Sequence, residues 1–137
     1  MQILYPVFAM FVLTAFAVFR LGFMRLSAIR EKAVDPKFYR TFQGYEEPER
    51  LRIASRHLVN LFEAPVLFYV VAILIHVTDQ ASAALVVLSW LYVLARCVHT
   101  TIHLTSNRLV RRFQAFVASW IVLTAIWIVF AGQLAVG

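Results

Sequence analysis

Four long apolar runs constrain what this chain can fold into. Crossing the hydrocarbon of a membrane as a helix takes about 20 apolar residues. The third run reaches that length only if it continues through Arg96 to Leu104. The runs cover residues 3–19, 58–75, 83–95 and 113–136.

The sequence therefore predicts an all-α integral membrane protein with four transmembrane helices in a single domain. Turn residues around Asp79 and around Asn107 make two of the connections short, and short connections favour antiparallel neighbours in an up-down bundle. The second helix is expected to start near Pro48 and to run without a break to about residue 75. The expected spans are residues 3–24, 57–76, 82–104 and 111–134, with a cytoplasmic loop over residues 30–48.

The positive charges of the 137-residue chain lie mainly between spans. Nine of the 13 Lys and Arg residues lie between the first and second runs, three lie between the extended third run and the fourth, and the remaining one, Arg96, is intramembrane. By the positive-inside rule, both of these loops are cytoplasmic and both termini lie outside the cytoplasm, as suits a multi-pass protein of a bacterial inner membrane. The basic charge therefore gives no reason to expect nucleic-acid binding, and membrane lipids are the expected surroundings.

Polar side chains form a stripe on each of two neighbouring spans. Glu63 is the most notable, because a charge inside a membrane helix is expensive and usually has a partner or a task. Arg56, Asn60 and Glu63 share one face of the second helix by their i, i+3 and i+4 spacing. Arg96, His99 and His103 share one face of the third helix in the same way. The antiparallel order brings the two stripes to similar depths, so Glu63 and Arg96 can meet.

These stripes predict a cationic cavity that is open to the cytoplasm. Three arginines at the start of the fourth helix, Arg108, Arg111 and Arg112, add to its positive charge. Such a site suits a small, multiply anionic ligand whose remaining part can contact lipid.

The same residues also allow a structural interpretation. Polar side chains join membrane helices, so Asn60, Glu63 and Arg96 could lock the bundle without binding any ligand. The arginines before the fourth helix could set topology and contact lipid headgroups. His99 and His103 have the i, i+4 spacing of metal ligands, but no HExxH or cysteine-rich pattern accompanies them. The sequence therefore predicts no metal site.

Two spaced motifs resemble those of the MAPEG family, the membrane-associated proteins in eicosanoid and glutathione metabolism. The resemblance covers essentially the whole chain, including the four spans and the large first loop. The motifs are Asn60-x-x-Glu63-x-Pro65-Val-Leu-Phe68-Tyr69 and Ala95-Arg96-x-x-His99-Thr100-x-x-His103-Leu104-Thr105-x-Asn107-Arg108.

The resemblance implies a homotrimer that binds glutathione as a co-substrate between neighbouring protomers. It assigns the catalytic role to Arg112, which would stabilise the thiolate of glutathione, and it makes Arg25 or Arg30 the first-helix arginine. Arginines would bind the carboxylates of glutathione, and Glu63 would take its ammonium group. The resemblance implies that Arg56, Asn60, Glu63, Arg96 and His99 bind glutathione. We expect His103 and Arg108, which belong to the same predicted cavity, to complete the binding set.

The leading functional hypothesis is a glutathione-dependent transferase or peroxidase that acts on a lipophilic electrophile. Two alternatives remain open at this stage. One is a non-catalytic scaffold or accessory subunit of the same fold, and the other is a binder of a lipid or quinone-type ligand in the groove between protomers. Fold alone does not choose among them.

Overall fold

Six helices make up the structure, a computed structural model that describes residues 1–44 and 46–136. Four stretches are long and apolar enough to cross a membrane, because α3 and α4 join into one span over Glu49–Val77. No strand occurs in the described part of the chain. The predicted all-α four-helix membrane bundle is therefore confirmed. The helices are α1 (Leu4–Arg30), α2 (Phe38–Thr41), α3 (Glu49–Leu61), α4 (Ala64–Val77), α5 (Ala83–Leu104) and α6 (Leu109–Val136).

The first span has an outward face of large apolar side chains. Phe8, Phe11, Phe19 and Phe23 on α1 are all more than half exposed. Exposed phenylalanines in such number would be costly in water but suit contact with lipid chains. The outer face of α1 therefore fits a membrane environment.

The second span is not the unbroken helix that the sequence led us to expect. Helix α3 stops at Leu61 and α4 begins at Ala64, and Glu63 has φ −96° and ψ −89°, outside the helical region. Pro65 explains the break, because a proline ring clashes with the carbonyl group four residues earlier, here that of Leu61, and provides no N–H. The break places Glu63 at a joint between two helical segments.

Both short turns form as expected. Asp79 and Asn107 each adopt a positive φ, 55° and 45°, which the short polar side chains of Asp and Asn tolerate better than most. Ser82 then caps α5 by accepting a hydrogen bond from the backbone N–H of Leu85. The second turn joins α5 to α6, and these two helices share the most extensive contact in the bundle.

Two apolar clusters hold the bundle together. The larger one lies towards the chain termini and contains Phe68 of α4, whose ring stacks on Tyr92 of α5 at 4.6 Å between centroids. The smaller one lies at the other end, where Val34 and Phe38 after α1 pack with Leu51 of α3. Beside these clusters lies a polar region, which consists of buried arginine and histidine side chains.

Candidate functional site

A cavity of about 430 Å³ opens beside this polar region, between α3, α5 and α6. Six of the eight residues proposed from the sequence line it, and Ser55, Val59, Leu109, Phe113 and Phe116 complete the wall. The cavity thus combines two guanidinium groups, one carboxylate, one amide and two imidazoles. The six sequence-derived residues are Arg56, Asn60, Glu63, His99, His103 and Arg112.

Arg96 pairs with Asn60, not with Glu63. Its Nη2 donates to Asn60 Oδ1 at 2.6 Å and approaches the Asn60 carbonyl oxygen at 3.4 Å. Within the described residues, the ion pair that forms is Arg25 with Glu47, at 3.7 Å. The prediction that Glu63 and Arg96 meet is therefore wrong for the described structure. The break after Leu61 leaves Glu63 exposed on the cavity wall, whereas Asn60 in the last turn of α3 reaches α5.

Arg96 itself is fully buried and lies beneath the cavity without lining it. Its Nε and Nη1 atoms have no hydrogen-bond partner among the described residues. An incompletely paired guanidinium in a membrane span is costly. The polar region of a single chain is therefore short of negative charge.

The arginines before α6 differ in position. Arg112 is half-buried, lines the cavity and donates from Nη1 to Asn107 Oδ1 at 2.7 Å. Arg108 and Arg111 are exposed and do not belong to the cavity wall of the described structure. Asn107 thus holds the one arginine of this group that reaches the site.

Three histidines come together where the sequence indicated only two. His57 of α3 joins His99 and His103 of α5, and all three are buried. The ring of His57 is stacked with that of His99 at 6.3 Å and is perpendicular to that of His103 at 5.2 Å. His57 also shares a hydrogen bond with Thr100, with Nε2 and Oγ1 2.9 Å apart. Sequence reasoning missed His57, although its position three residues before Asn60 puts it close to the polar stripe of α3.

A polar network beside the cavity ties α1 to α3 and to the loop between them. Arg25 Nη2 donates to Ser55 Oγ at 3.2 Å, and Ser55 donates to Glu47 Oε2 at 3.3 Å. The Arg25 guanidinium also lies over the Tyr39 ring, 5.0 Å from its centroid. Burial, and then the charge of Glu47, raise the pKa of Tyr39 above its usual value. Of the two candidate first-helix arginines, Arg25 contacts the cavity wall through Ser55, and Arg30 is exposed.

An apolar groove of about 690 Å³ runs along the outer face of α6. Phe116 belongs to both the groove and the polar cavity, so the two spaces adjoin at its ring. The groove is lined by Phe116, Val117, Trp120, Ile121, Thr124, Ala125 and Ile128.

Of the comparisons with known proteins, the one with family models gives a match, and that match agrees with this architecture. No curated protein and no solved structure gives a match. The family model described as MAPEG family matches residues 3–132, which include the first three spans, most of the fourth and every residue of the cavity. The chain therefore belongs to the MAPEG family, the membrane proteins of glutathione and eicosanoid metabolism.

Proposed function

We propose that the protein is a glutathione-dependent transferase or peroxidase that acts on a lipophilic electrophile. The observation that carries this proposal is the charge pattern of the cavity. Arg56 and Arg112 provide positive charge, and Glu63 provides a single negative charge on the same wall. Glutathione has two carboxylates and one ammonium group, so its charges complement the wall.

In this proposal the arginines bind carboxylates and Glu63 binds the ammonium group, as charge-assisted hydrogen bonds. Asn60 and His99 add neutral polar contacts, and Arg96 holds Asn60 in place from below. Arg108, one turn before Arg112 and exposed, contributes positive charge at the entrance. His103 completes the polar wall beside His99.

Catalysis would come from ionisation of the glutathione thiol. A nearby cation lowers the pKa of a thiol, and the thiolate is the nucleophile. Arg112 is suited to this role, because it lines the cavity, is held by a neutral amide and forms no ion pair with a carboxylate of the described residues. The thiolate sulfur would attack the electrophilic atom of the second substrate, and the leaving group would depart with the bonding electrons. The thiol proton would pass to solvent.

The second substrate would arrive from the bilayer. The apolar groove on α6 adjoins the polar cavity at Phe116 and faces outward. A lipophilic molecule in this groove would lie next to the cavity without crossing water. Shape and polarity together support an electrophile that partitions into lipid.

We further propose that the working assembly is a homotrimer. Glu63 is exposed on the surface of a single chain, next to Val59 and Phe62, which are both 59% exposed. A carboxylate facing lipid is costly, so a neighbouring protomer is expected to cover it. Native mass spectrometry in a mild detergent should give trimers, and monomers alone would contradict the assembly.

The proposed orientation has both termini outside the cytoplasm in a bacterial inner membrane. Its support is the placement of the basic residues in the two predicted inner loops. Single cysteines introduced at residues 35 to 50, in a chain with Cys97 replaced by serine, should be protected from impermeant reagents in intact cells. Labelling of these positions from outside would reverse the orientation.

Glutathione titration of Glu63→Gln and Arg112→Ala tests the function itself. Glu63→Gln removes the charge facing the ammonium group, so ground-state binding should weaken by about 1 to 3 kcal/mol. Arg112→Ala should leave binding closer to normal and reduce turnover, because less of the thiol is ionised. Calorimetry gives the dissociation constant, and ultraviolet absorbance reports the thiolate. Arg111→Ala is the matched control, since Arg111 is exposed and outside the cavity wall.

A non-catalytic scaffold is the second candidate, and two hydrogen bonds favour it. Arg96 and Arg112 both donate to asparagine side chains of the same chain, at 2.6 and 2.7 Å. These bonds lock helices and a turn without any ligand. For a scaffold, wild type should give neither glutathione heat nor a thiolate signal, and Arg112→Ala should change nothing but local stability.

A further inference from the structure

Three of the four histidines of the chain meet beside the cavity. His57, His99 and His103 are buried, and their potential ligand nitrogens all lie within 4.8 Å of one another. The fourth histidine, His76, is exposed in the last turn of α4. We propose that the three buried histidines bind a divalent first-row transition metal ion whose fourth ligand is an anion.

The histidine nitrogens themselves point to a ligand. Nδ1 of His99 and both ring nitrogens of His103 are buried without a hydrogen-bond partner among the described residues. These side chains are only 3% and 6% exposed. Buried polar atoms in proteins nearly always have a partner, so unpaired ones require an explanation. A metal ion would accept a lone pair from one ring nitrogen of each imidazole and supply a partner for that nitrogen.

The geometry allows a metal after a small movement of the rings. Zinc–nitrogen bonds of about 2.0 to 2.1 Å in a tetrahedral site put ligand nitrogens about 3.3 Å apart. The observed limit of 4.8 Å is wider, and rotation of the imidazoles about their side-chain bonds can bring the nitrogens closer. His57 has the oxygen partner that a ligating histidine normally uses to fix its ring, namely Thr100 Oγ1 at 2.9 Å.

The donor set limits which metals fit. Neutral imidazoles suit zinc, copper, nickel and iron, whereas calcium and magnesium prefer oxygen ligands. Three histidines with one open position are typical of catalytic zinc sites, because structural sites use four protein ligands. His99 and His103 line the polar cavity, so a fourth ligand can reach the ion from there.

Electrostatics determines the nature of that fourth ligand. The buried guanidinium of Arg96 lies close by, and Arg56 and Arg112 line the cavity. These charges repel a bare divalent cation. An anion bound to the metal would offset that repulsion. It would also lie near arginines that form no ion pair within residues 1–44 and 46–136. Metal affinity should therefore rise when a small coordinating anion such as azide is present.

Cobalt titration of the full chain tests the proposal. The protein is purified in mild detergent with a tag free of histidine and cysteine, stripped with a chelator, and titrated with Co²⁺ without glutathione. We expect one Co²⁺ per protomer with the visible absorbance of a tetrahedral site, a shift of that absorbance on adding azide, and displacement by Zn²⁺. Because glutathione is absent, the result is independent of the proposed transferase function.

Variants then locate the ion. His57→Asn, His99→Asn and His103→Asn should each abolish the absorbance, and His76→Asn should leave it unchanged. Thr100→Val should weaken binding by about 10- to 100-fold, because it removes the oxygen that orients His57. If a histidine variant fails to fold, X-ray absorption of the zinc-loaded wild type should still count three imidazoles. The proposal is overturned by absence of the cobalt band, by its persistence in folded His57→Asn, by its loss in His76→Asn, or by a different ligand count.

Discussion

The two ends of this bundle stabilise their interiors in different ways. Around Phe68 and Tyr92, towards the chain termini, buried side chains are almost all apolar and ring stacking joins α4 to α5. Around Arg96 and the three histidines, the interior is polar and several buried nitrogens have no partner among the described residues. We call these regions the apolar half and the polar half.

The two halves differ in the buried charge and imidazole groups that lack a partner, although the Tyr92 hydroxyl in the apolar half also has none among the described residues. Packing in the apolar half uses only side chains of the same chain. In the polar half, buried guanidinium and imidazole nitrogens have no partner among the described residues, and Glu63 lies on an exposed wall. A ligand or a neighbouring protomer would supply what is missing, and both are parts of our proposals.

The largest loss of stability should follow from a substitution in the apolar half. Phe68 is fully buried, and Phe68→Ala removes its stacking on Tyr92 and leaves a cavity. We expect a loss of about 3 kcal/mol, at the low end for such truncations because the alternative surroundings are lipid instead of water. Unfolding in mixed micelles, followed by circular dichroism, measures it. Phe11→Ala is the control, since Phe11 is 62% exposed and should tolerate truncation. Equal losses in the two variants would remove the distinction between packed and lipid-facing rings.

A smaller loss of stability is expected in the polar half, where a hydrogen bond to a buried arginine, and not apolar packing, joins the helices. Asn60→Ala removes the oxygen that accepts from buried Arg96, so we expect a loss of about 1.5 to 3 kcal/mol, as for hydrogen bonds to charged groups. Asn60→Asp should recover much of that loss, because it restores the acceptor and adds an opposite charge. Unfolding in mixed micelles of the ligand-free protein gives the values.

Asn107→Gly is the matched comparison for Asn60→Ala. Asn107 accepts from an arginine in the same way, but Arg112 is only half-buried and water can replace the lost oxygen. Glycine also retains the positive φ of the turn. We expect this variant to lose clearly less stability than Asn60→Ala. A larger loss at Asn107 would mean that burial does not control the strength of these pairs.

Sequence reasoning reached most of the apolar half and only part of the polar half. Hydropathy was enough for the four helices, and the turn residues were enough for the turns at Asp79 and Asn107, because those signals are local. The break after Leu61 was missed, although Pro65 is visible in the sequence, because apolar residues continue through it. The Arg96 contact with Asn60 and the approach of His57 to His99 depend on helix rotation and on that break. Spacing along one helix cannot reveal them.

The smallest loss of stability is expected at the edge of the polar half, where the Arg25–Glu47 pair joins α1 to the segment before α3. Glu47→Gln removes the charge but keeps an oxygen for Tyr39 and Ser55. We expect a loss of about 0.5 to 1 kcal/mol, because Arg25 is partly exposed and its Nε lies 3.7 Å from the carboxylate oxygen. The same change should lower the pKa of Tyr39 only in part, because burial is the larger cause of its elevation and Glu47 the second.

A tyrosine with a raised pKa contributes stability below its ordinary pKa of about 10 and loses it as pH rises through the folded-state value. In both proteins this alkaline loss of stability should begin near the unfolded-state pKa, but in Glu47→Gln it should be smaller and end at lower pH than in wild type. Phenolate absorbance, taken as the difference between each protein and its Tyr39→Phe counterpart, follows this one titration. An unchanged titration would show that the charge of Glu47 does not act on Tyr39. A stability loss as large as that of Asn60→Ala would show that the Arg25–Glu47 pair contributes as much as the buried Arg96–Asn60 hydrogen bond.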